Sequence, residues 1–201
     1  MGIRERKKEA RRAAIQEAGL DMFLKEGFDR ASVERIASAV GIARGTFYLY
    51  YEDKLGLFEA LCERLYSPIV QVLQGTAEAL RSAASTAEHQ FIYLQMAGLL
   101  ATQGPELRPL MMLHFRESRS AGPAGEVVRR WMGRIEHLSE RILSEARDQN
   151  AVAINDVYTV SLAIVGAAER LTWAWLIGDE RLDRDAAALE LSAVFFKGIQ
   201  A

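Results

Sequence analysis

Residues 32 to 58 read SVERIASAVGIARGTFYLYYEDKLGLF, and a glycine within them divides two short helical patterns at a spacing that leaves the chain few ways to fold. Val33, Ile36, Ala37 and Val40 recur at i, i+3, i+4 and i+7, the apolar face of a helix over 33–40, and Ser32 stands where an N-cap oxygen accepts a backbone N–H. Position 35 is Arg rather than the Glu of a full capping box. Ala37 is small enough for a second helix to cross closely. Gly41 falls where a helix end often takes positive φ, Ile42 can fill the gap between helices, and the next helix, expected from Arg44 to Tyr51, begins almost at once. Two helices joined in this way form a helix-turn-helix, whose second member lies in the major groove of DNA.

On that second helix Phe47 is expected inside, with Arg44, Gly45, Thr46 and Tyr48 toward the groove. Arg44 can form a bidentate contact to guanine, Thr46 can pack its methyl on thymine, and Gly45 lets the backbone approach the duplex. Tyr50 and Lys54 are expected at phosphate. Asp53 reads as the N-cap of a third helix, and a cation in a first turn opposes the helix dipole, so Lys54 makes sense beside an anion. Taken singly, the tyrosines read equally as core aromatics and Lys54 as a solvated charge; the ordered set argues for DNA.

The run G-F-x-x-A-S-V-x-x-I-A, followed by V-G-I-A-R-G-T-F-Y-L-Y-Y-x-D-K-x-x-L-F, closely resembles the N-terminal domain of tetracycline-repressor-like (TetR family) regulators, over about residues 10 to 61. The resemblance implies base or groove contacts from Arg44, Gly45, Thr46 and Tyr48, and phosphate contacts from Ser32, Tyr50 and Lys54. Three positions depart from the family pattern. Ala43 replaces a common capping Ser, Leu49 a polar or aromatic residue that meets phosphate, and Ala31 a common Thr.

Residues 1 to 54 carry 11 Lys+Arg against 9 Asp+Glu, while residues 55 to 201 carry 14 against 18, so the basic excess lies on the half that carries the motif. It is densest at Arg4, Arg6, Lys7, Lys8, Arg11 and Arg12, which read either as a flexible arm reaching phosphate or minor groove, or as a solubilising helix start. Half of the 201 residues are apolar, enough for a sizeable core. A single cysteine, Cys62, excludes an internal disulfide, and neither a signal-peptide pattern nor a run of ~20 apolar residues is present. A cytoplasmic, nucleoid-associated protein is the expectation.

From residue 54 onward the periodicity is helical throughout, which makes the chain all-α, about nine helices, divided as a DNA-binding domain over 1–53 and a helical ligand-binding and dimerisation domain over 54–201. A long helix from Lys54 to about Arg81 places Phe58, Leu61, Leu65, Ile69 and Val72 on one face, with Pro68 expected to bend it. That bend suits either signal transmission or a plain core helix. Further helices are expected over 86–102, 106–117, and from the Gly122–Gly125 loop onward, where Val128, Trp131, Ile135, Leu138 and Ile142 form a core stripe. The last two, about 153–177 and 183–200, are more apolar than a monomer needs. Ala163, Gly166 and Ala167 allow close approach, and Leu189, Val194, Phe195 and Phe196 spread apolar surface, so these helices are expected to pair with their copies in a homodimer rather than close an internal core.

Phe91, Gln95, Met96, Met111, His114, Phe115, Trp131 and Trp173, with Tyr93 and Met112 beside them, are the candidate ligand residues, an apolar set with a few polar groups. Most of these serve the core whether or not a ligand binds; a third, roughly, are expected to line a pocket. No cofactor, metal site or catalytic residue is expected. His89, His114 and His137 are not at metal-ligand spacings, and neither a phosphate loop nor a nucleophile elbow is present. The expected function is a homodimeric regulator, most simply a repressor, that binds a palindromic double-stranded operator and is released by an apolar or aromatic small-molecule effector. The alternative is an architectural, sequence-neutral DNA binder without an effector.

Overall fold

The computed structural model describes residues 2–101 and 105–183, together with 186, 187, 190, 191, 193 and 194. Eight α-helices are described: α1 (Ile3–Glu26), α2 (Val33–Val40), α3 (Arg44–Phe47), α4 (Lys54–Ser82), α5 (Thr86–Ala101), α6 (Arg108–Glu117), α7 (Pro123–Asp148) and α8 (Val157–Leu176), with a 3-10 turn over Pro105–Leu107. The described residues contain no strand, so the all-α reading holds. The helix expected over 183–200 falls largely outside the described residues, with Leu189, Phe195 and Phe196 among those not described. Among the described residues no helix is long and apolar enough to cross a membrane, and no group of three His, Cys, Asp or Glu is placed to hold a metal ion.

Two compact units result: Met1–Tyr66 with Glu106–Trp131, and Ser67–Pro105 with Met132–Ala201. The first therefore holds α6 and the start of α7 as well as the N-terminal helices.

The first unit is built on α1, against which α2 and α6 pack, with α3 on α2. Ile15, Leu20, Phe23, Ile36, Ala37, Phe47, Leu57, Phe58 and Leu61 are all essentially excluded from water. Phe23, Phe28 and Phe58 form a ring triad with centroids 5.4 to 5.7 Å apart, an edge-to-face and tilted arrangement that suits the aromatic quadrupole. Gly19 makes the α1–α4 approach possible, since a Cβ there would sit 2.5 Å from Leu57 Cδ2. Cys62 is buried, and loss of solvation pushes its thiol pKa up to about 12, so it behaves as a small core group.

Arg4 to Arg12 are not an arm detached from the fold. They belong to the exposed first turns of α1, which starts at Ile3, and so display their charge on a helix.

The second unit buries Val70, Leu73, Ala77 and Leu80 of α4 and Ile135, Leu138, Ile142, Leu143 and Ala146 of α7. Of the expected α7 stripe, Val128, Ile135, Leu138 and Ile142 are buried and Trp131 is half-exposed, whereas on α4 the buried positions beyond Pro68 are Val70 and Leu73 rather than Ile69 and Val72, which stay half-exposed. They extend the row of Cys62 and Tyr66, four residues apart, so the buried face after the proline continues a different helical row. Arg81 Nε donates to Glu145 Oε1 at 2.9 Å and Gln149 Nε2 to Leu80 O at 3.0 Å, tying the ends of α4 and α7. Asp156 caps α8 by accepting from Thr159 N at 3.3 Å.

The Phe58→Ala substitution is expected to destabilise the protein by about 3–5 kcal/mol, because it empties the centre of the aromatic triad. Equilibrium urea denaturation checks this; a loss under about 1 kcal/mol would contradict the packing.

Candidate nucleic-acid interface

Three short segments build the surface, and the joint between α1 and α2 sets their direction. The last carbonyls of α1 have no partner inside the helix. Gly27, at φ 87, turns its N–H to Phe23 O, Arg116 Nη1 donates to Leu24 O at 3.0 Å, and Arg30 Nε donates to Glu26 O at 2.8 Å. Phe28 N donates to Glu117 Oε1 at 3.2 Å, a buried carboxylate on α6.

Lys54 Nζ then donates to Phe28 O, Asp29 O and Ala31 O at 2.8, 3.0 and 3.1 Å, and lies 4.6 Å from the Phe28 ring centroid. An ammonium has three donors, and all three are committed here. The expected phosphate contact from Lys54 is therefore revised: the partial negative charges beside this first-turn cation are three carbonyls of the protein's own joint. Asp53 caps the same helix as expected, accepting from Gly56 N at 2.8 Å.

Ser32 caps α2, its Oγ accepting from Arg35 N at 3.4 Å. The missing capping-box carboxylate is explained by Arg35, whose guanidinium makes a two-pronged contact with Glu26 of α1. Gly41 adopts φ 68 in the left-handed region, its N–H on Ser38 O and that of Ile42 on Ala37 O at 3.0 Å each, the double bond of a Schellman close.

The recognition segment is shorter as regular helix than the sequence pattern suggests. α3 covers Arg44–Phe47, and residues 48–50 continue as turns, with Leu49 N on Thr46 O and Tyr50 N on Phe47 O at 3.2 and 2.9 Å. Ala43, at the N-cap, has no side-chain acceptor to offer. Phe47 points inward at 0% exposure, while Arg44, Gly45, Tyr48 and Leu49 face solvent and Thr46 and Tyr50 are half-exposed. Nothing lies within 4 Å of where a Cβ would sit on Gly45. Tyr51 is buried instead, its hydroxyl accepting from Gln16 Nε2 at 2.9 Å, and burial raises its pKa.

Arg44 Nε and Nη2 both donate to Tyr48 Oη, at 3.2 and 3.1 Å, and Nη1 forms an ion pair with Glu34 Oε1 at 2.7 Å. The Tyr48 hydroxyl first and Glu34 second raise the pKa of the guanidinium above its ordinary value. Glu34 was not among the residues picked from sequence, where its first-turn position reads as a helix-dipole acid.

The candidate ligand residues divide between the units. Met111, His114, Phe115 and Trp131 belong to the first, where Tyr66 stacks on Trp131 at 5.4 Å and its hydroxyl meets the buried His114 Nδ1 at 2.6 Å. Phe91, Gln95, Met96 and Trp173 belong to the second; Phe91 and Gln95 are exposed and Met96 and Trp173 half-exposed.

Residues 15–61 match the family model for bacterial regulatory proteins of the tetR family. An uncharacterized HTH-type transcriptional regulator, YvdT of Bacillus subtilis, is 34% identical over 61 residues, which cover 30% of this chain and 31% of that protein. The chain thus matches about a third of the length of such curated relatives. SmeT, described as a repressor of a Stenotrophomonas maltophilia multidrug efflux pump, superposes in its triclosan complex with a TM-score of 0.76 at 18% identity, over 96% of this chain and 92% of that one. FadR of Bacillus subtilis in complex with stearoyl-CoA gives 0.67 at 19% identity, over 94% and 99%. These superpositions establish a shared fold. Geometry and matches together define a helix-turn-helix protein on an all-helical body. Over residues 15–61 the chain is similar to the N-terminal domain of the tetR family of bacterial regulatory proteins.

Replacing Lys54 by Met is expected to cost roughly 1–3 kcal/mol of stability, because carbonyls of the joint lose their donor. Its affinity for DNA should fall without change in the slope of log affinity against log salt; a slope lower by about 0.9 per site would restore the phosphate role.

Proposed function

We propose that the chain is a homodimeric transcriptional regulator, a repressor, in which residues 1–53 read a palindromic operator and residues 54–201 dimerise and bind a small-molecule effector. The observation that carries the reading is the recognition segment itself. Phe47 is wholly buried while Arg44, Gly45 and Tyr48 stand exposed beside it, with Thr46 half-exposed, the division that base reading requires. Ser32 at the N-terminus of α2 and Tyr50 after α3 are the proposed phosphate contacts, and the exposed basic turns of α1 add sequence-independent attraction.

One recognition segment spans too few base pairs for selectivity, and two held about 34–36 Å apart read successive turns of the groove. The proposed two-fold contact uses α8, whose exposed positions include Tyr158, Leu162, Ala163 and Gly166, followed by Ile177; Val194 in the following segment is exposed as well. Large exposed apolar side chains alternating with small ones on one helix suit close pairing with a second copy.

Support for an effector comes from the apolar and aromatic candidates on α5 to α8, and from solved structures of the same fold that hold triclosan or stearoyl-CoA. An apolar or aromatic molecule is the proposed class. It releases DNA only by binding more tightly to the conformation that does not fit the operator.

Selection of binding sites from a random DNA pool tests the reading. An inverted repeat with half-site centres about one helical turn apart is expected; no enrichment would point to a sequence-neutral binder. On the selected site Tyr48→Ala should weaken binding roughly tenfold or more, in the range of one lost base-edge contact. Leu162→Arg should shift the protein toward monomer in sedimentation velocity and weaken operator binding with it. An unchanged dimer would contradict the α8 interface.

A further inference from the structure

Arg44 is held on two sides before any DNA arrives. Its Nε and Nη2 grip the Tyr48 hydroxyl from within the same segment, and its Nη1 faces Glu34, on a different helix, at 2.7 Å. Both partners of the ion pair are well exposed, 61% for Arg44 and 53% for Glu34. Exposed pairs of this kind contribute little to folding, so stability does not account for an acid placed beside a groove-facing cation. An acid there also repels the phosphates of any duplex, which lowers affinity for DNA at large.

Arrest of the side chain is what the pair does accomplish. A free arginine has many rotamers, and a contact to guanine must freeze one of them; ordering it beforehand removes that cost from the binding step. Two contacts from different directions define the guanidinium plane as well as its position. That plane matters, because the guanine O6 and N7 acceptors are read by a two-pronged, coplanar donor pair. Binding groups act best when their own rotamers are locked by supporting contacts, and Glu34 supplies such a contact from rigid α2.

We propose that Glu34 is a specificity-determining positioning residue, which orients Arg44 for guanine and disfavours DNA that offers no guanine there. The inference rests on the reading of Arg44 as a base contact, and the test separates the two. Glu34→Gln preserves shape and removes charge; an unchanged thermal melt of this variant confirms the fold. The probes are the duplex selected from a random pool by the unaltered protein, the same duplex with each guanine replaced in turn by 7-deazaguanine, and a scrambled duplex. Affinities are read by fluorescence anisotropy at one salt concentration.

With the unaltered protein, one guanine per half-site is expected to lose roughly tenfold on replacement, as one bidentate contact should. Arg44→Ala should abolish that penalty. Glu34→Gln should cut it to about threefold or less, and should lower the ratio of selected-site to scrambled affinity by a similar factor. A full penalty retained in Glu34→Gln, with affinity raised equally for every duplex, would overturn the proposal and leave Glu34 a mere repulsive charge. A penalty that survives in Arg44→Ala, or no guanine sensitive to replacement, would overturn the Arg44 reading and the proposal with it.

Discussion

The joint between α1 and α2 is the constraint on which the presentation of the exposed α3 segment depends. A helix that ends inside a compact unit leaves carbonyls that must find donors, and the next helix can start only where the intervening backbone is held. Here two elements distant in sequence supply the missing partners. Lys54 reaches from α4 to three carbonyls, and Arg116 and Glu117 reach from α6 to Leu24 O and Phe28 N. Charged groups make the stronger hydrogen bonds, and each of these closes on backbone that a side-chain substitution in the joint cannot alter. With the aromatic triad of Phe23, Phe28 and Phe58 beneath it, the joint fixes where α2 begins and hence where α3 lies.

From that origin the rest follows by short steps. Ser32 and Gly41 close the two ends of α2, Ile36, Ala37 and Phe47 bury the contact with α3, and the solvent side is left to Arg44, Gly45 and Tyr48. Glu34 lies on the exposed side of the same short helix, within ion-pairing distance of Arg44. Scaffold and proposed reading surface are therefore built from interleaved positions of one segment. Few of its residues are free to change without altering one role or the other.

Local chemistry made much of this readable from the chain. The caps at Ser32 and Asp53, the left-handed Gly41, the inward Phe47 and the α7 stripe each depend on neighbours within a few residues, and the structure contains them, with Trp131 alone of the stripe half-exposed. What periodicity cannot report is a partner far along the chain. Lys54 and its three carbonyls are 23 to 26 residues apart, and Glu117 and Phe28 are 89 apart, so Lys54 read as a cation awaiting phosphate and Glu117 drew no attention. α3 starts at Arg44 as the pattern expects and is shortened at its other end, where Leu49 N and Tyr50 N bond three residues back. The division of the ligand candidates between two units was equally hidden, because aromatic and methionine residues on a helix look alike in sequence whichever core they enter.

The most direct test of the account is the affinity of the purified protein for the DNA immediately upstream of its own gene, set against a scrambled duplex of the same composition, by fluorescence anisotropy at fixed physiological salt. Selective binding is expected, with two chains per duplex and a preference of about 10³-fold or more, in the range of specific recognition. Equal affinity for both duplexes, there and on sites selected from a random pool, would contradict operator reading and leave only a sequence-neutral attraction to phosphate.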